Sequence, residues 1–141
     1  MWFFICNFVE KKTFLWYYLK QGEFMNKEHI LKSNLDFQRI IKSNRPYKYK
    51  EYVIYLEKNN LDNYRFGFSV GKKIGKAVAR NHIKRQLKNI VSKRKYKNGF
   101  DCIIIVNKSI LEKSFYEREK DLNEIFKKIN IYKKELEDEK I

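Results

Sequence analysis

Between Asn63 and Phe100 the chain holds no Asp or Glu, while Arg65 and eleven further Lys and Arg fall inside that window. A surface helix ordinarily mixes signs to gain i,i+4 pairs, and this stretch repels itself. It opens with an alternating run, Arg65-Phe66-Gly67-Phe68-Ser69-Val70, that predicts a half-buried strand. Gly71 and Gly75 bracket a Lys-Lys turn, and helical periodicity then runs from about Lys76 to Lys93. On that helix Ala79, Ile83, Leu87, Ile90 and Val91 form one stripe that should face a core. Asn81, Lys84, Arg85 and Lys88 fall on the other side, with Arg80 at the border. The planar guanidinium fork suits phosphate oxygens, and Asn81 can both donate to and accept from a sugar hydroxyl or base edge. A solvated lysine-rich helix is the plain alternative to a polyanion site.

The same residues carry a resemblance. Gly67-Phe68-Ser69-Val70-Gly71-Lys72-Lys73-Ile74-Gly75-Lys76-Ala77-Val78, followed by Ala79-Arg80-Asn81-His82-Ile83-Lys84-Arg85, is similar to the signature block of the bacterial ribonuclease P protein subunit, known for an Arg-Asn-Arg trio. The match is long and without gaps. His82 stands in place of the second arginine of the trio, and Gly71 in place of a usual serine. The resemblance extends from about Leu31 to about Tyr132. It implies that Lys72, Lys73, Lys76, Arg80, Asn81, His82, Lys84, Arg85 and Lys88 meet the family's catalytic RNA subunit. It also implies that Phe37, Ile41, Tyr52 and Tyr55 line a cleft for the single-stranded 5′ leader of precursor tRNA, with Ile41 where a second aromatic is usual. The same aromatics would serve equally as core. The reaction implied is endonucleolytic removal of that leader in the cytoplasm. Its chemistry and its Mg2+ would belong to the RNA subunit, with no catalytic or metal site in this chain.

A length of 141 residues allows one domain. The net charge of +15 favours nucleic acid or an anionic membrane surface as partner. Cys6 and Cys102 are far apart and only two histidines are present, so no zinc-site spacing is found and no metal site is expected, and two thiols fit a reducing cytosol. Residues 1–24 differ from the rest: they hold nine of the 23 aromatics and both tryptophans, yet carry a net charge of only +1. Glu10-Lys11-Lys12 breaks the apolar run too early for a membrane span, and no signal-peptide order is present. Gln21 to Met25 can be encoded with AAGGAG a few bases before ATG, so the expected start of the protein is Met25. The expected domain covers 25–132, with a charged tail over 133–141.

Ser33 to Asp36 has capping-box spacing and should open a helix that carries Leu35, Phe37, Ile40 and Ile41. Tyr47 to Lys50 reads as an edge strand, Tyr52 to Leu56 as a second, and Phe100 to Val106 as the most buried. Ser114 to Glu117 is another capping box, and its helix should run to about Tyr132. The order predicts an α+β fold: an αβββαβα two-layer sandwich on a mixed four-stranded sheet. The resemblance implies a left-handed β-α-β crossover, against the general rule. No catalytic constellation is present; Asp36, Asp62 and Asp101 read as single acids at caps or turns. The rival readings are a basic-helix module that binds DNA, a translation-associated RNA-binding protein, and a peripheral membrane protein anchored by residues 1–24.

Overall fold

The computed structural model describes residues 25–133. The aromatic-rich extension at 1–24 lies outside the described residues, as does the charged tail beyond Lys133. The described elements are α1 (Asn34–Ser43), β1 (Tyr47–Tyr49), β2 (Tyr52–Lys58), β3 (Tyr64–Val70), α2 (Ala77–Ser92), β4 (Phe100–Val106) and α3 (Phe115–Ile129), with single 3-10 turns at Lys27–His29, Lys72–Ile74 and Lys108–Glu112. The sheet order is β1-β2-β4-β3. β1 with β2 and β2 with β4 are antiparallel, and β3 with β4 is parallel.

Strand alternation sorts the side chains. Tyr52 and Ile54 of β2, Phe66 and Phe68 of β3, and Cys102 and Ile104 of β4 share one face with Ile83, Leu87, Ile90 and Val91 of α2 and Leu122, Ile125 and Phe126 of α3. The opposite face presents Ile103 to Leu31 and to Ile40 of α1, with Phe37, Ile41, Tyr55 and Ile105 at the margin. The two-layer expectation therefore holds for the sheet with α2 and α3, and α1 adds a third, partial layer behind it. The same alternation corrects one expectation: Tyr52 is 1% exposed and points into the main core, one residue out of phase with the face that α1 covers.

The hand of the β3-α2-β4 crossover follows from one hydrogen bond. Phe66 turns its side chain into the main core and its C=O away from β4, to the Leu31 N–H at 2.9 Å. An extended L-residue seen with its side chain toward the viewer and the chain running up carries its own N–H and C=O on the right. Ile30 and Leu31 thus lie to the right of β3, β4 lies to the left, and α2 crosses in front. The crossover is left-handed.

The caps behave as their chemistry dictates. Ser33 Oγ accepts from the Asp36 N–H at 3.4 Å, and Ser114 with Glu117 forms a reciprocal capping box. Two details depart from the sequence reading. Leu35 is 79% exposed because it lies about 160° round α1 from Phe37. The last helix stops at Ile129, where Asn130 takes a left-handed conformation (φ 58°), and Tyr132 instead bridges to Tyr96.

Candidate nucleic-acid interface

α2 seats itself through Ile83, Leu87, Ile90 and Val91, and this fixes where its cations go. Lys72 and Lys73 in the preceding turn, Lys76, Asn81, His82 and Arg85 are exposed. The first turn of α2 carries neither an acid nor a side-chain cap. Arg80 is half-buried, and its Nε is buried without an acceptor from the protein. Lys84 and Lys88, also half-buried, lie one turn apart.

They lean over a cleft of about 440 Å³ at the open edge of β3. Its walls are Phe37 and Gln38 of α1, Lys32 and Asn34 at the start of that helix, Phe68 to Val70 of β3, and Lys84 and Lys88 of α2. The structure thus brings together residues that the sequence assigned to separate surfaces: Phe37 from the aromatic set, Lys84 and Lys88 from the basic set. Burial, and then repulsion from Lys84, Lys32 and Arg85, holds the Lys88 ammonium below the ordinary lysine range. A cluster that repels itself in the free protein favours a polyanion that neutralises it. Tyr55 and Ile41 flank the same face of the sheet, packed with Phe37 around Ile40 and Ile103.

Phe37 takes its place because position 67 has no side chain. The β4 register sets Tyr55, Ile103 and Gly67 in one row across three strands. A Cβ on Gly67 would run into the Phe37 ring, with Cε2 at 2.9 Å. Gly67→Ala is therefore expected to push the half-buried ring out of its seat while costing the fold no more than about 1–3 kcal/mol. Phe37 ring resonances beside a thermal melt check this; a melt unchanged with the ring unmoved contradicts it.

Two sequence readings change at buried polar groups. Arg65, counted among the Lys and Arg of the acid-free window, donates Nε to Asp101 Oδ1 (2.8 Å) and Nη2 to Asp101 Oδ2 (2.7 Å). Asp101, read as a turn acid, is a fully buried β4 residue that Asn59 also bonds at 2.8 Å. Gln86 and Asn89 are buried on α2, beside its apolar stripe. Polar residues at core spacing were the available signal that α2 also meets polar groups of α3. Among the described residues no group of three or more His, Cys, Asp or Glu is placed to hold a metal ion, and no helix is long and apolar enough to cross a membrane.

A self-repelling basic helix beside an aromatic-walled cleft, on an α+β sheet with a left-handed crossover, has the makings of a nucleic-acid-binding protein. The profile of the Ribonuclease P family matches residues 25–130. The ribonuclease P protein component of Bacillus pumilus is 38% identical over 114 residues, covering 79% of this chain and 96% of its own. That of Mesoplasma florum is 36% identical over 104 residues, covering 72% and 94%. Among solved structures, the Staphylococcus aureus RNase P protein superposes with a TM-score of 0.67 at 32% identity, covering 76% of this chain and 100% of its own. A mutant of that protein with defective mRNA degradation activity gives 0.69 at 30%, covering 82% and 98%. The chain belongs to the ribonuclease P protein family. Its role is that of a protein subunit in an RNA-processing ribonucleoprotein, and the DNA-binding and translation-associated readings are not favoured.

Proposed function

We propose that this subunit works by position and charge, while the RNA subunit and the Mg2+ it holds supply the hydrolysis that frees the 5′ leader of precursor tRNA in the cytoplasm. In this reading Lys72, Lys73, Lys76, Arg80, Asn81, His82 and Arg85 meet the RNA subunit. The leader enters the cleft, with an unpaired base against Phe37 and its phosphates between Lys84, Lys88 and Lys32, and further bases reach Ile41 and Tyr55 on the same face of the sheet outside the cleft. The observation that carries the reading is the cleft itself: single strands are held by aromatic faces beside a cationic track, and here Phe37 and the lysines line one groove, with Ile41 and Tyr55 on the same face of the sheet beyond it.

Replacing Phe37 and Tyr55 with Ala is expected to leave assembly with the RNA subunit intact. Binding of leader-bearing precursor should fall toward that of mature tRNA, by about 1–3 kcal/mol for each base that no longer stacks. Variants that fold, assemble and still prefer precursor by the wild-type margin would remove the leader from this cleft. A second reading has the Staphylococcus aureus mutant with defective mRNA degradation activity behind it: that this chain too takes part in mRNA degradation. RNA-free protein incubated with a single-stranded mRNA separates the two, and no cleavage is expected.

A further inference from the structure

Where the family signature has its second arginine, this chain has His82, and the structure ties that histidine to a buried arginine on another helix. Arg118 of α3 is 7% exposed. Its Nε and Nη2 donate to the Ile110 carbonyl at 3.2 and 2.8 Å, and its Nη1 donates to Gln86 Oε1. A guanidinium has no acceptor, so it can face only the oxygen of the Gln86 amide. The amide nitrogen is thereby turned the other way, where it lies 3.1 Å from His82 Nε2. That nitrogen can only donate, so His82 Nε2 must accept. An imidazole that accepts through Nε2 is neutral, with its proton on Nδ1; protonating Nε2 would set N–H against N–H.

We propose that Arg118 is a positioning residue for the RNA interface: acting through Gln86, it fixes His82 as a neutral hydrogen-bonding group, so the Arg80-Asn81-His82 trio meets RNA with one cation. The inference rests on the reading of α2 as an RNA-binding surface. The electrostatics agree with the geometry. Partial burial, then Arg118 from α3 and Arg85 from the same helix, holds His82 below the ordinary histidine range. The departure from the family signature is thus built into the packing of α2 on α3. Gln86 is 7% exposed, so neither its side chain nor that of Arg118 needs to touch RNA to act.

The test uses the full chain, which has two histidines, so the His82 ring signals can be assigned and followed by NMR. Wild-type His82 should titrate below about 6.5. Gln86→Glu keeps the shape and the Arg118 pairing but offers His82 an acceptor, and should raise the midpoint by about one unit or more. Arg118→Met should raise it as well, and Gln86→Glu carries the test if that variant melts early. In parallel, affinity for the ribonuclease P RNA is measured at fixed ionic strength from about pH 8 to about pH 6. Affinity should rise on acidification more steeply in Arg118→Met than in wild type, and His82→Ala in the same background should flatten the difference. Equal His82 midpoints in wild type, Arg118→Met and Gln86→Glu overturn the relay. Midpoints that move while affinity follows none of them overturn the role of His82 at the interface. If substitution of Lys76 and Arg85 also leaves affinity unchanged, it is the RNA-binding reading of α2 that has failed.

Discussion

Arg65→Ala is expected to destabilise the fold by about 3–5 kcal/mol, because it strands a carboxylate that has no access to water. Asp101 has no exposed side-chain surface, and Arg65 supplies two of the three side-chain hydrogen bonds to it, leaving only Asn59. In a domain whose whole stability is on the order of 5–15 kcal/mol, that is a large fraction. The melting temperature should fall by roughly 15 °C. The paired replacement Arg65→Met with Asp101→Leu should recover most of the loss, since an apolar pair needs no counter-charge. Thermal melts of the three proteins decide it. A normal melt for Arg65→Ala, accompanied by weaker RNA binding, would place Arg65 on the RNA-facing surface and contradict the structural assignment.

Lys84→Ala combined with Lys88→Ala should have the opposite profile, with stability kept or slightly raised and precursor binding weakened. Lys84, Lys32 and Arg85 all act on Lys88 with like charge, so removing two of these cations relieves repulsion in the free protein. If the leader's phosphates lie between them, each lysine is worth about 1.5 kcal/mol, roughly tenfold in affinity. The slope of log affinity against log salt should become shallower by about 0.7 for each phosphate of the single strand that is no longer neutralised. The weakening should be larger for leader-bearing precursor than for mature tRNA. An equal effect on both, with assembly weakened, would move Lys84 and Lys88 back to the RNA-subunit side.

The apolar skeleton was legible from the sequence because its periods are strict. The stripe of Ile83, Leu87, Ile90 and Val91 and the run Phe100 to Val106 each match one buried face of their element. The caps at Ser33 and Ser114 were legible for the same local reason. What escaped were the meetings between elements. Alternation already set Tyr52 and Tyr55, three residues apart, on opposite faces of β2, and what the chain near them does not say is which of those faces the first helix covers. Nothing near Arg65 reveals that Asp101, 36 residues away, takes its charge. The sequence divided the cations of α2 from the aromatic cleft because they lie on different elements. Their meeting at the β3 edge depends on how far Leu31 covers that edge, which is a tertiary fact.

In the function proposed for it, this protein lowers the electrostatic cost of bringing two RNAs together and leaves the bond-breaking to its RNA partner. The most direct measurement is single-turnover cleavage of a leader-bearing precursor tRNA at low magnesium, with ribonuclease P RNA alone, rigorously RNA-free protein alone, and the two combined. Little cleavage is expected from the RNA alone, where phosphate repulsion is least screened, and none from the protein. The pair should cleave at a strong rate that the RNA alone approaches only as magnesium is raised. Correct 5′ processing by the RNA-free protein, or a combined rate no greater than that of the RNA at low magnesium, would contradict this division of labour.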